Sequence, residues 1–404
     1  MAANNPDPKT GEVNLFSPEF AACPQPVFRR LHEQCPVTRA AFTGSPVISR
    51  YDDVMWALRH PEIFSSEMEM AVALGTERPM IPQQIDPPAQ TAFRKILDPR
   101  FSRRRMSEIE PAIRAHANAL IDEFIDKGEC EFDHEFAIPL PCTAFLSLMG
   151  LPREELDLFL ELKDGIIRPR VTSDDPDEPT RLRAATGQRI YGYFERMIDE
   201  RTRAPRDDMI GYLLEAEIEG KKLSRSDILD ICFLLLLGGL DTVTSTLGCN
   251  IAFLAANPEH RRRIVEKPEL IPAAIEELLR WETPVMGVPR VVKQDVSIRG
   301  VEIKAGEIAM LLLGAADTDA AAFPNADAVS FDRERNRHIA FGAGPHRCLG
   351  SHLARMELTA AMEEWHRRIP DYAIKPGETP RVSPGIREVQ YLPIVWEARR
   401  GSMP

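Results

Sequence analysis

The chain has 404 residues, 44% of them hydrophobic and 28% charged, with 62 acidic against 50 basic side chains and a formal net charge of −12. That balance suits a globular protein with ample core and excludes a disordered chain. Its acidity argues against general nucleic-acid binding.

The first stretch, "MAANNPDPKTGEVNLFSPEF", has no basic region followed by an apolar run, so no signal peptide is expected and the location should be cytoplasmic. "PVISRY" reads as a strand. Segments 105–127, 186–203, 225–256, 271–282 and 351–368 carry apolar residues at helical spacing with charged opposite faces. "SDDPDEP", 173–179, is an acidic surface loop. "VSIRGVEIKAGEIAMLLL", 296–313, and "VQYLPIVW" near the end read as strands. No repeat or linker divides the chain. The expectation is one domain over 1–404, mainly α, with a smaller β-rich part near 37–50, 290–313 and 380–397. Seven scattered cysteines with no C-x-x-C pair argue against a disulfide framework or a structural zinc site.

Ser224 to Asn257 reads as one helix. Ser224 and Asp227 suggest a capping box, and Pro258 a stop. The run of about 32 residues would extend roughly 48 Å and is apolar almost all round, as a core helix is. Its most apolar part, "ICFLLLLGGL", is too short to span a bilayer, so no membrane span is expected. "GGLDT" breaks the pattern. Two glycines cost about 1 kcal/mol each against alanine, and Asp241 and Thr242 put a carboxylate and a hydroxyl into an apolar helix. Thr242 could simply bond back to the Gly238 carbonyl and bend the helix, which leaves a buried Asp241 unexplained.

In "FGAGPHRCLG", Phe341 to Gly350, a single cysteine stands among three glycines. A lone Cys348 can be a nucleophile, a redox sensor or a metal ligand. A hydrolase would need a histidine base, for which His346 is close in sequence. A haem iron would need a thiolate in a glycine-rich loop, with room for a flat macrocycle. "SHLARMEL" follows at helical spacing, so the sulfur lies just ahead of a helix N-terminus, whose dipole favours a thiolate.

With these motifs together the sequence resembles the cytochrome P-450 haem-thiolate monooxygenases. "FGAGPHRCLG" fits the family's cysteine-ligand loop, "EELLR" its E-x-x-R helix, "GGLDT" its oxygen-binding groove, and "IDPPAQTAFRK" the helix beside the haem. The likeness runs from about Asp86 to Trp396. It is strongest to soluble bacterial members of the camphor-hydroxylase type, through "LLLLGGLDTVTSTL" and "GIREVQYLPIVW".

The resemblance implies the family's fold, a triangular prism with a long central helix, holding haem b. It makes Cys348 the axial thiolate, Phe341 and Gly342 part of the loop against the haem, and Arg94, Arg290 and His346 partners of the propionates. Gln90 stands where many relatives have histidine. Glu277, Arg280 and Arg333 become structural residues. Asp241 and Thr242 become the acid–alcohol pair that handles protons during oxygen activation. Leu234, Leu237, Gly238, Val285, Val288 and Ile386 fall at the substrate pocket, with "MEMAVALGTERPMIPQQI", 68–85, as its variable lid. Arg78 and Arg387 fall at or near the pocket, facing a substrate carboxylate or carbonyl, or water.

The implied reaction inserts one oxygen atom from O2 into a C–H bond of a small hydrophobic substrate, terpenoid-like or aromatic. The alternatives are a fatty-acid or steroid monooxygenase and a non-catalytic haem-thiolate sensor. No flavin or nicotinamide fingerprint is present, so electrons should come from an iron–sulfur ferredoxin, 2Fe–2S favoured, with its reductase. The run "RKILDPRFSRRR", 94–105, with six basic residues against Asp98, is the candidate docking patch on an acidic protein expected to be a monomer.

Overall fold

The computed structural model describes residues 12–68, 74–383 and 386–398. The helices that carry the residues of interest are α1 (Ala89–Leu97), α2 (Arg103–Phe124), α3 (Leu156–Ile167), α4 (Glu178–Arg203), α5 (Arg225–Leu240), α6 (Thr242–Ala256), α7 (Ile271–Trp281) and α8 (Ser351–Arg368). The chain forms two compact units. One comprises 1–65, 103–140 and 242–404; the other comprises 66–102 and 141–241.

The first unit holds a six-stranded sheet in the order β1 (Glu12–Val13), β2 (Val37–Ala40), β3 (Pro46–Ile48), β6 (Ile308–Leu311), β5 (Val288–Val292), β4 (Phe64–Ser65). β6 runs parallel to β3 and antiparallel to β5, and this register sets Arg290 opposite Ala309. Val47, Ile48, Ala309 and Leu311 are fully buried, as β-branched and aliphatic residues in a central strand should be. α8 is held at its far end by Trp365, fully buried among Phe124, Phe132, Phe136, Tyr372 and Trp396. The helix that follows the cysteine loop is therefore fixed by aromatic packing.

Glu277 on α7 is 1% exposed. It accepts hydrogen bonds from Arg280 at 2.8 and 2.9 Å, from Arg333 at 2.9 and 3.1 Å, from the Ser330 N–H and from Asn336. The structure thus brings Glu277, Arg280 and Arg333 together.

In the second unit, residues 75–78 lie against α4. A Cβ on Gly187 would come within 1.8 Å of the Gly75 carbonyl oxygen, so the contact is possible only between glycines. Residues 69–73, the front of the expected lid, lie outside the described residues.

The expected single helix 224–257 is two helices. The capping box is present: Asp227 N–H donates to Ser224 Oγ at 3.1 Å, and Ser224 N–H to Asp227 at 2.9 Å. Helical hydrogen bonding is interrupted at Asp241, whose φ of −122° leaves the helical range. The sequence cue for continuity was apolarity, which does not register a polar residue drawn to side-chain partners. Arg225–Ala256 is long and apolar enough to cross a membrane by length and composition, but 67% of its most apolar window is buried inside the protein.

Glu277→Gln should cost roughly 3–5 kcal/mol in urea unfolding of the holoprotein, because it strands two buried guanidinium groups. The pH dependence has a definite sign. Burial pushes the Glu277 and Glu276 carboxyls up, but their cationic partners outweigh it: both lie below the ordinary 4.5, and Glu276 falls to about 2. Their stabilisation should be complete above about pH 4.5 and lost as pH falls through the depressed folded-state values.

Candidate functional site

The cysteine loop is shaped by its glycines. Gly342 and Gly344 adopt φ of +68° and +67°, the left-handed region closed to most residues. A Cβ on Gly344 would also lie 2.2 Å from the Leu58 carbonyl oxygen. The loop closes through Gly342 N–H to Ile339 O at 2.7 Å and Cys348 N–H to Phe341 O at 2.8 Å. Gly350 is the N-cap of α8, so the sulfur lies two residues ahead of a helix N-terminus. Cys348 is exposed. Cys130, Cys232 and Cys249 are buried, and burial pushes their thiols well above the ordinary value. Among the described residues no group of three or more His, Cys, Asp or Glu could hold a bare metal ion. An exposed cysteine on such a loop suits a metal held mainly by a macrocycle.

His346 ends the short turn Gly344–His346, and Arg290 stands half-buried on β5 with Nη1 donating to the Pro289 carbonyl at 2.7 Å. On α1, Arg94 pairs with Asp98 at 2.7 Å, and the buried Gln90 accepts from Thr91 Oγ1 at 3.3 Å.

Half of α5 is buried, and toward its C-terminal end an apolar strip is left partly open. Leu234 and Leu237 are half-buried, and Gly238 is exposed with nothing within 4 Å of where its Cβ would stand. These positions are i, i+3 and i+4, so they share a face. Gly239 has a different job: a Cβ there would come within 2.9 Å of Phe145. An apolar helix face left open in this way is one that a hydrophobic ligand could cover. In the other unit Val285 and Ile386 are paired by an antiparallel β-bridge, and Val288 begins β5.

Asp241 is not a free carboxylate. Fully buried, it accepts from Lys163 Nζ at 3.1 Å and from Arg168 Nη2 at 3.0 Å. Burial pulls the Lys163 ammonium down, but Asp241 and Asp164 more than offset this and hold its pKa above the ordinary value. Sequence reasoning missed both cations. The available signal was a lysine and an arginine set among the apolar residues of "FLELKDGIIR", beside Glu161 and Asp164.

The two arginines placed near the pocket have protein partners. Arg78 makes a bidentate pair with Asp230 at 2.9 and 3.0 Å, and Tyr191 donates to the same carboxylate at 3.2 Å. Arg387 is buried, paired with Glu282 at 2.6 Å and bonded to the Ala21 carbonyl.

The family profile described as Cytochrome P450 matches residues 180–367. Probable cytochrome P450 127A1 of Sinorhizobium fredii is 34% identical over 83% of this chain and 80% of its own. The steroid C26-monooxygenase of Mycobacterium tuberculosis is 32% identical over 91% of this chain and 90% of its own. The crystal structure of CYP109E1 from Bacillus megaterium in complex with testosterone superposes with a TM-score of 0.87 at 29% identity, covering 94% of this chain and 100% of that one. The chain belongs to the cytochrome P450 family and is a haem b monooxygenase.

Proposed function

We propose that the whole chain works as one cytoplasmic catalytic domain that hydroxylates an apolar substrate, with Cys348 as the axial thiolate. The observation that carries this reading is the exposed Cys348 sulfur in a loop shaped by Gly342 and Gly344, ahead of the α8 N-terminus. When bound, haem b activates O2 for insertion of one oxygen atom into a C–H bond. Arg94, Arg290 and His346 offer charge and hydrogen bonds to the propionates, and Gln90 a hydrogen bond without charge. Thr242 Oγ1 holds the water that hands on a proton. Asp241 supplies that proton from bulk water when one of its cations parts from it.

The residues assigned to the substrate, Leu234, Leu237, Gly238, Val285, Val288 and Ile386, are all apolar, which favours an apolar substrate. A steroid-sized polycycle is favoured over a small terpenoid or aromatic, because one relative is named for steroid oxidation and a solved neighbour holds testosterone.

Electrons come from an acidic ferredoxin, 2Fe–2S favoured. In the basic run Arg100 stacks on Tyr212 with its guanidinium carbon 4.6 Å from the ring centre, and Arg105 pairs with Glu108. Arg103 and Arg104 are exposed. Arg103 also lines a groove of about 260 Å³ between α2 and α8, with His352 and Arg355. Burial, and after it the nearby Arg103, Arg347 and Arg355, hold the His352 imidazole below its ordinary pKa. Weak, charge-guided contact suits a partner that must deliver two electrons separately.

Reduced holoprotein under carbon monoxide should show the long-wavelength Soret band of a thiolate-ligated haem, and Cys348→Ala should lose it. An imidazole-type spectrum in the wild-type protein would overturn the assignment.

Thr242→Ala should keep haem and substrate binding while diverting reducing equivalents to hydrogen peroxide. Asp241→Asn should slow turnover by roughly 10²–10⁴-fold. Full, coupled product formation in both variants would remove the pair from the proton route.

Ferredoxin reduction should slow as salt rises, since exposed charges are screened over about 8 Å at physiological ionic strength, while dithionite reduction changes little. Arg103→Glu and Arg104→Glu should each raise the ferredoxin concentration needed for half-maximal rate.

A further inference from the structure

We propose that Arg355 and Glu276 act as positioning residues that set the electron affinity of the haem held by Cys348; this rests on the reading of Cys348 as the axial ligand. The Arg355 guanidinium is gripped by Glu276, Nε to Oε1 at 2.6 Å and Nη2 to Oε2 at 2.7 Å. Its carbon lies 4.3 Å from the centre of the Phe341 ring, a cation stacked on an aromatic face. Phe341 is the residue whose carbonyl oxygen accepts the Cys348 N–H at 2.8 Å. The same Glu276 carboxylate lies 2.9 Å from His338 Nε2, and the His338 and Phe341 ring centres are 6.0 Å apart. One carboxylate thus fixes two side chains against the ring whose backbone holds the cysteine.

Covering an exposed helix face does not require this arrangement. The Arg355 side chain is 27% exposed and could reach water. A planar guanidinium can donate two bonds to a carboxylate and stack on a ring at once; a lysine ammonium keeps the charge but not that geometry, so it can restore the charge effect only in part. The pair also places two opposite charges beside the ligand loop, where they nearly cancel. Coulomb's law then gives each a definite sign. Removing the cation leaves Glu276 opposing the arrival of an electron; removing the carboxylate leaves Arg355 favouring it.

The test is an anaerobic equilibrium titration of the holoprotein with dithionite and mediator dyes. A protein reductant is avoided because Arg355 also lines the α2–α8 groove. With the thiolate carbon-monoxide band retained, Arg355→Met should lower the ferrous-to-ferric ratio at a fixed potential severalfold. Glu276→Gln should raise it, and Arg355→Lys should return it toward wild type. A merely structural role would lower the melting temperature of both charge-removing variants without giving shifts of opposite sign. Unchanged ratios, or shifts of the same sign, overturn the proposal. Should Arg355→Met fail to hold haem, Glu276→Gln decides alone: a raised ratio supports the proposal, and an unchanged or lowered one overturns it. Absence of the thiolate band in the wild-type protein would sink the Cys348 assignment itself. With that band present, only the role of Arg355 and Glu276 is at stake.

Discussion

Moving a carboxylate out of water costs several kcal/mol unless hydrogen bonds replace its hydration. Glu277 meets this condition through Arg280, Arg333, Asn336 and the Ser330 N–H. Arg280 in turn spends its remaining donors on the carbonyls of Asp317, Ala326 and Ala328. The irregular chain from Asp317 to Asn336 has little regular secondary structure to satisfy its own backbone. Turn bonds such as Phe323 N–H to Asp319 O take part of it, and the buried ion cluster takes up much of the rest. The cysteine loop follows a few residues beyond this stretch, so its placement depends on Glu277 although that residue lies 71 positions before Cys348 in the chain.

Glu276 is the next residue back, and a helix turns it by about 100° to a different face. There it meets His338 and Arg355 instead. Two consecutive carboxylates on α7 thus divide the work: one fixes the chain leading to the loop, the other grips the side chains around Phe341. The lowered pKa of both has the same origin, cationic partners outweighing burial. Asp317, fully buried with the Ile339 N–H and Thr283 hydroxyl as hydrogen-bond donors, shows the opposite balance. There burial dominates and its carboxyl is pushed up to about 7.

The helices and strands were legible wherever apolar period and caps agreed. α7 and α8 span 271–281 and 351–368, within a residue of their sequence limits. The family, haem b and the monooxygenase class were legible because "FGAGPHRCLG", "EELLR" and "GGLDT" are short and local. What stayed hidden is long-range. Lys163 reaches a carboxylate 78 positions away, and Arg355 one 79 positions away. Neither pairing leaves a periodic trace, since a charged residue on a helix reads as a solvated face. The interruption at Asp241 was hidden for a related reason: propensity describes a residue in its own helix, and here the deciding partners lie on and just beyond α3.

That interruption has an electrostatic logic. At the C-cap of α5 a carboxylate faces the negative end of one helix dipole, while the positive N-terminus of α6 begins at the next residue. The two ends oppose each other, so neither dipole is a sufficient partner, and the buried charge depends on Lys163 and Arg168. These cations are not equivalent. The Lys163 side chain is 3% exposed, so on parting from Asp241 its ammonium would keep Asp164, at 3.2 Å, but would gain no water. Arg168 is 27% exposed and also reaches Asp164, itself 54% exposed, at 3.3 Å. It can swing toward water and remain paired. Of the two cations, Arg168 is therefore the one whose side chain can trade Asp241 for water, while Lys163 is held in the interior between two carboxylates.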